Sequence, residues 1–263
     1  CKSCDWIPMC KNCDVTLTYH KYTNDLRCHY CGYTETHISH CKACGDNNLE
    51  QKGIGTERIE DDLKSLFPDA KIGRMDYDTV KTKYGHEKII HAFEDGVYDI
   101  LVGTQMVTKG LDFKNLQLVG VLNADALLYF PDFRAIERAY QLLIQVSGRA
   151  GRKDVKGQVE IQISNEEHQI VQAVLKNDFK DFYLSQISER KFFSYPPYSR
   201  LIGITIRHKD LSIVEEAAQL LSKQLQKHYN EWIKGPNKPI FQRINNYFIR
   251  EILIKIPREH FTQ

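Results

Sequence analysis

Two groups of residues in this sequence have the types and spacing to do chemistry. The first is eight cysteines in four Cys-x-x-Cys pairs, Cys1/Cys4, Cys10/Cys13, Cys28/Cys31 and Cys41/Cys44, with none beyond Cys44. A Cys-x-x-Cys turn offers two thiolates from one tight bend to a tetrahedral metal, and eight thiolates make two four-coordinate sites. We read them as zinc ligands rather than disulfides or an iron–sulfur centre, because no secretory segment precedes them. Spacing leaves the grouping open. Sequential pairing would join Cys1, Cys4, Cys10 and Cys13. A nested arrangement would join Cys1, Cys4, Cys41 and Cys44 around one ion and Cys10, Cys13, Cys28 and Cys31 around the other. Four thiolates leave no open coordination position, so such an ion stabilises a fold and does not activate water. The thiolates already complete two sites, so His20, His29, His37 and His40 read as polar loop or surface residues.

The second group is Gly103-Thr104-Gln105, then Lys109-Gly110-Leu111-Asp112-Phe113, then Gln145-Val146-Ser147-Gly148-Arg149-Ala150-Gly151-Arg152. Arg149 and Arg152 are three apart, so a helical turn directs both to a similar face. Their planar cationic forks suit phosphate oxygens and the negative charge that develops in phosphoryl transfer. Gly148 and Gly151 leave room for a close backbone approach. The same residues could equally close a helix whose dipole the arginines complement. Spacing alone does not choose between the two.

The elements that carry these groups follow from periodicity. The first 50 or so residues hold little aliphatic material and need cross-links in place of a core. After Gly53 the pattern alternates between helices and short apolar strands. Residues 56–66 read as a helix with Ile59, Leu63 and Leu66 at helical spacing, stopped by Pro68. Strands are predicted at 71–75, 98–103, 117–123 and 158–163, with helices at 86–94 and 134–147. This is the order of a mainly parallel α/β sheet, which places ligands at the ends of its strands. A helix at 178–192, the proline-bearing segment 193–198, strands at 201–208 and 248–256 and a helix at 212–229 read as a small α+β domain. Three segments result: 1–50, a two-zinc module inserted in a motor; 51–177, an α/β lobe; and 178–263, a linker helix and an α+β DNA-binding or scaffold domain.

The chain is 42% hydrophobic and 27% charged over 263 residues, which suits one or two folded domains and excludes simple disorder. Lys plus Arg number 36 against 34 Asp plus Glu, so overall charge does not decide for or against nucleic acid. Residues 186–263 carry 13 Lys or Arg against 7 Asp or Glu, a surplus able to attract phosphate, with Arg243 and Arg250 flanking Tyr247 and Phe248. A solvated basic face over core aromatics accounts for the same residues. No apolar run reaches the roughly 18 residues of a membrane helix. The chain reads as a soluble piece of a longer protein.

The string 145–152 resembles the last conserved motif of superfamily 2 helicases, and 102–113 resembles the preceding motif of the same motor lobe. Together with Asp125, Pro131-Asp132-Phe133-Arg134-Ala135, Glu137 and the interrupted Cys-x-x-Cys series, the text is similar to the primosomal replication-restart helicases of bacteria. The resemblance spans essentially the whole chain. It implies a RecA-like second lobe, the nested zinc arrangement, and an ATP- and Mg2+-dependent helicase. That enzyme moves 3′ to 5′ on DNA and reloads the replication machinery at abandoned forks. It also implies a monomer in the bacterial cytoplasm at the nucleoid, partnered by single-stranded DNA-binding protein and primosome or helicase-loading proteins. By position, Arg149 and Arg152 would be the arginine-finger pair, with Arg152 on the γ-phosphate, and Gln145 would sense ATP or the attacking water. Gly110, Asp112 and Gly148 would border the nucleotide, and Thr104, Gln105 and Lys109 would touch the DNA backbone.

No G-x-x-x-x-G-K-[S/T] loop and no Asp-Glu-x-His motif is present, so this stretch by itself should not turn over ATP at a useful rate. Gly53-Ile54-Gly55-Thr56 lacks the following lysine and reads as a hinge opening a helix, with Gly55, Thr56 and Glu57 structural or nucleotide-adjacent. His-Glu-x-x-His is absent, which disfavours a zinc protease. The competing class is a non-catalytic zinc-containing module that binds nucleic acid or protein. It explains the cysteines and the C-terminal basic surplus but not the paired arginines. Trp6, Tyr19, Tyr22 and Tyr30 could offer a binding surface or, in a module so poor in apolar material, pack over the metal-bound turns.

Overall fold

The computed structural model describes residues 1–20, 23–50, 55–76, 79–80, 84–104, 113, 116–148 and 157–261. They form two compact units. One joins Cys1–Lys52 to Ile187–Gln263, and the other is Gly53–Gln186. Among the described residues no helix is long and apolar enough to cross a membrane.

The N-terminal module is a three-stranded antiparallel sheet of β1 (Thr18–His20), β2 (Asp25–Arg27) and β3 (Thr34–Thr36), in the order β1-β2-β3. Its small core consists of Val15, Leu17 and Leu26 around the buried Cys10, Cys13 and Cys28. With so few aliphatic side chains, sulfur supplies much of the interior, as the composition requires.

The second unit alternates helix and strand. α1 (Thr56–Leu66) ends where the Phe67 amide donates to Leu63 and Pro68 follows. Only Ile59 and Leu63 of its stripe are half-buried, and Leu66 is exposed. β4 (Ile72–Met75), α2 (Gly85–Glu94) and β5 (Ile100–Gly103) form one strand–helix–strand unit with β4 and β5 parallel. β6 (Leu118–Val121), α3 (Asp125–Leu128), α4 (Ala135–Ser147) and β7 (Gln158–Ile161) form a second, again with parallel strands. A helical crossover is what lets two consecutive strands run the same way. Among the described residues the hydrogen bonding thus makes two parallel pairs, in keeping with the mainly parallel order expected from the pattern. Met75, Ile90 and Phe113 fill the first pair's core, and Leu128, Ala139, Tyr140, Leu143 and Ile170 fill the second's.

α5 (Gln169–Lys176) follows, capped by His168 Nδ1 at one end and left-handed Asn177 at the other. α6 (Phe179–Phe192) carries Phe182 into the second core, stacked on Tyr140 at 4.1 Å between ring centroids. The boundary between the two compact units falls within this helix, between Gln186 and Ile187. The C-terminal domain is an antiparallel sheet of β8 (Ser199–His208), β9 (Ile233–Asn237), β10 (Arg243–Ile244) and β11 (Tyr247–Pro257), in which β11 pairs with the other three. α7 (Leu211–Tyr229) belongs to the same domain, with Val214, Ala218 and Ser222 buried. The whole is a mixed α/β protein.

Candidate functional site

The cysteines fall into two clusters of four, Cys1, Cys4, Cys41 and Cys44, and Cys10, Cys13, Cys28 and Cys31, with all sulfurs of a cluster within 4.8 Å of one another. This is the nested grouping. The sequential one is excluded. Sulfur pairs stand 3.7 Å apart for Cys1–Cys44, 3.6 Å for Cys4–Cys41 and 3.5 Å for Cys10–Cys31, and all eight cysteines are free. A tetrahedron of four thiolates on one zinc ion has sulfur–sulfur edges of about 3.8 Å, so the donor set fits that group in number, chemistry and spread. Both clusters are all sulfur, and none of the module's histidines takes part in either.

Local turns build the clusters. Asp5, Gly32 and Gly45 each stand four residues after the first cysteine of a pair, at φ of 55°, 74° and 77°, and donate back to Cys1, Cys28 and Cys41. Backbone amides also point at sulfur, with Asn12 donating to Cys10 at 3.3 Å and Ala43 to Cys41 at 3.4 Å. The thiols of one cluster are unequal. Burial pushes Cys13 up to about 12, although the Asn245 amide opposes this. Burial also pushes Cys31 upward, but the Tyr33 amide and the thiols of Cys10, Cys13 and Cys28 outweigh it and hold Cys31 at about 7. In the other cluster Cys41 likewise sits at about 7, where amides of Cys44 and Ala43 overcome its burial. Cys31 and Cys41 are thus the thiols whose surroundings most favour the thiolate, the form that binds a metal.

The aromatic residues of the module divide. Tyr19 packs against the core around Cys10 and Cys28, whereas Tyr30 is exposed with its ring 5.2 Å from Phe241. Tyr22 lies outside the described residues.

In the second unit Thr104 is exposed just beyond β5. Gln145 is half-buried in the last turn of α4, and Gly148 caps that helix with its amide on Ile144 at 3.0 Å. A Cβ on Gly148 would meet only the carbonyls of Ile144 and Gln145, at 3.5 and 3.8 Å, and its φ is −75°. The fold itself does not require glycine there. Arg149, Arg152, Gln105, Lys109, Gly110 and Asp112 lie outside the described residues. Phe113, at the end of the second motif, is buried edge-on to Phe93 with centroids 5.0 Å apart. Asp125 accepts from the Ser164 amide at 2.9 Å and hydroxyl at 2.7 Å, tying together the segments that follow β6 and β7.

Sequence reasoning missed a polar cluster where α1 meets the end of β4. Buried Asp76 accepts from the Thr56 hydroxyl at 2.6 Å and the Thr79 amide at 2.9 Å, and Arg74 Nε lies 3.3 Å away. Arg74 also pairs with Glu57 at 3.0 Å and Glu60 at 3.5 Å. Gly55-Thr56-Glu57 thus opens a helix anchored to β4, in keeping with the structural role read for it.

Of the two C-terminal arginines, Arg250 differs from expectation. Arg250, with 3% of its side chain exposed, donates through Nε to Glu215 at 2.9 Å and through Nη1 to the Ile249 carbonyl at 2.6 Å. It is an interior ion-pair residue and not a phosphate contact. Register explains this, because β11 residues alternate faces and Arg250 falls on the face that meets α7. Arg243 donates through Nε to Asp14 at 3.1 Å. That pairing makes it a tie to the cysteine module.

Residues 10–35 match the family model described as the PriA DNA helicase Cys-rich region (CRR) domain, and residues 49–154 match the helicase conserved C-terminal domain. The chain is similar to replication restart protein PriA of Bacillus subtilis, 40% identical over 261 residues that cover 98% of this chain and 32% of that protein. It is 39% identical to the protein of the same name from Synechocystis over 98% of this chain and 32% of the relative. For the Treponema pallidum protein the figures are 36%, 98% and 39%. The chain spans about a third of the length of these relatives.

Proposed function

Because the chain belongs to the PriA replication-restart helicase family, as the C-terminal region with its cysteine clusters and helicase C-terminal domain, we propose that it supplies the second motor lobe of an ATP-dependent DNA helicase. The enzyme moves 3′ to 5′, acts at abandoned replication forks and helps reload the replicative helicase. Residues 51–177 are the lobe, 1–50 a two-zinc module inserted in the motor, and 178–263 a linker helix and scaffold domain. The observation that carries this reading is the Gln145–Arg152 string at the end of α4, inside the matched helicase domain.

Arg149 and Arg152 place guanidinium charge beside the phosphates of an ATP held, with Mg2+, mostly by another lobe, and Arg152 faces the γ-phosphate. Charge of this kind acts where the transferring phosphoryl group is most negative. Gln145 orients the attacking water. Gly148, which the fold does not need as glycine, leaves the approach to the nucleotide open. Gly110 and Asp112 relay nucleotide state to the strand side, where Thr104, Gln105 and Lys109 meet the DNA backbone. Two zinc ions, one on each cysteine cluster, hold the module together. Single-stranded DNA-binding protein and primosome proteins are its partners, and the enzyme works as a monomer at the bacterial nucleoid.

The test is DNA-stimulated ATP turnover in a protein of the relatives' full length, for wild type, Arg149→Ala and Arg152→Ala. Turnover falls by about 10^3-fold or more in at least one variant, the range of arginine fingers elsewhere, while metal content stays at two per chain. Unchanged turnover in both variants overturns the assignment and leaves a non-catalytic binding module.

A further inference from the structure

The Cys10–Cys13 turn is built differently from its three counterparts. In those three, the residue four places after the first cysteine donates its amide back to that cysteine's carbonyl at 2.9–3.0 Å. In the Cys10–Cys13 turn the equivalent amide, that of Asp14, donates instead to the Arg243 carbonyl at 2.9 Å. Amides two residues after Cys4 and Cys31, those of Trp6 and Tyr33, donate to these cysteines' sulfurs. At Cys13 the amide on sulfur is that of Asn245, at 3.1 Å and 232 residues away in sequence.

Asn245 and Asn246 form the two-residue tip between β10 and β11, with φ of 51° and 62°. Two adjacent residues at positive φ are what such a tip needs, and asparagine accepts that conformation readily. The tip is held on the module by more than the sulfur contact. The Asn246 amide donates to the Asn12 carbonyl at 2.7 Å and its side chain to Asn12 Oδ1 at 3.2 Å, while Arg243 pairs with Asp14 at 3.1 Å. Phe241 and Ile244 pack on the core around Cys10 and Cys28.

We propose that the β10–β11 tip is an outer-shell part of the Cys10/Cys13/Cys28/Cys31 metal site. The Asn245 amide serves as a positioning donor to Cys13, so that metal retention at this cluster and seating of the C-terminal hairpin are one equilibrium. An amide aimed at a thiolate stabilises its charge and fixes its direction, and outer-shell partners of this kind change metal affinity by about 10–100-fold. Among the described residues the tip's hydrogen bonds to the module all go to Asn12–Asp14 and none to the Cys1/Cys4/Cys41/Cys44 cluster, so the effect belongs to one ion of two. The inference rests on the zinc reading above.

The test uses the full chain loaded with zinc, with chelator-driven release followed in wild type, an Arg243→Ala/Asn246→Gly double variant that loosens the tip, and Asn245→Gly, which keeps the amide and tolerates positive φ. In the double variant one ion leaves at least about 10-fold faster and the other at the wild-type rate, while Asn245→Gly matches wild type. Cadmium-113 loading assigns the fast ion, whose resonance alone shifts. Equal acceleration of both ions, or none, overturns the proposal. Should the double variant not fold, amide exchange in wild-type protein decides. Asn245 is protected with metal bound and exchanges quickly once chelator removes it, and protection that survives stripping overturns the proposal. A wild-type chain that holds no metal removes the zinc reading itself, a result distinct from tight binding with the tip unseated.

Discussion

Asp76 shows how much one side chain can organise. It gathers the Thr56 hydroxyl, the Thr79 amide and the Arg74 guanidinium at the junction of α1 and β4. Asp76→Ala leaves the Thr56 hydroxyl and the Thr79 amide without this acceptor and Arg74 with only Glu57 and Glu60, and should cost about 2–4 kcal/mol, read as a lower urea midpoint at unchanged slope. Burial raises its carboxyl pKa, but the Thr56 and Thr79 bonds and Arg74 prevail and hold it below the usual carboxylate range. The unfolded chain therefore holds the proton more tightly. The contribution is complete above about pH 4 and is lost as pH falls through the lower folded value. The stability gap between wild type and Asp76→Asn should be flat from about pH 5 to 8 and shrink below about pH 4, and a gap that widens on acidification contradicts this. At this scale the four cysteine pairs were legible in the sequence, because a Cys-x-x-Cys turn is complete within four residues, whereas spacing alone did not say which pairs come together. Arg250 was not, because its partner Glu215 is brought to it only by strand register and helix packing.

Elements were legible where a pattern ran through several turns. α1, α4, α6 and α7 lie within a residue or two of their predicted bounds because each repeats apolar positions at helical spacing. α5 was missed, since eight residues hold barely two turns and its ends depend on His168 and a left-handed Asn177. β9 was missed because Gly235 and Pro236 read as breakers. In the structure Gly235 sits at φ 112° beside a register shift between Glu251 and Leu253, where a Cβ would come within 2.8 Å of the Glu251 carbonyl. A sharper test concerns β4, where a Cβ on Gly73 would meet the Tyr98 ring at 2.8 Å. Gly73→Ala should destabilise the protein by about 1–3 kcal/mol, the usual cost of overpacking. Adding Tyr98→Leu should recover part of that loss, a coupling measurable by denaturant melts of the two single variants and the double. Additive costs would show that the ring is not the obstacle.

The whole molecule is organised in a way that reading from one end to the other does not anticipate. The sequence divides naturally into consecutive segments, but the cysteine module shares a compact unit with the chain's C-terminal portion. Contacts between Asn12–Asp14 and Arg243–Asn246 leave no periodic trace in the sequence. Limited proteolysis of the metal-loaded chain within Gly53–Gln186 should leave the Cys1–Lys52 and Ile187–Gln263 pieces eluting together, with chelator separating them. Pieces that part with metal still bound would contradict this unit. Metal uptake should also release protons. Burial pushes the Cys13 thiol up to about 12, so binding at neutral pH must displace its proton, and affinity falls as pH falls; the number of protons released per site is the quantity to measure. Calorimetry in two buffers of different ionisation enthalpy measures that number.

The contact between Asn245 and Cys13 also sets an order of events during synthesis. Cys13 leaves the ribosome 232 residues before the Asn245 amide that covers it. A nascent chain must carry this cluster uncovered while those intervening residues are made, open to oxidants and to competing ions. Maturation of that half of the module is therefore timed by the arrival of the β10–β11 tip and not by the emergence of its ligands.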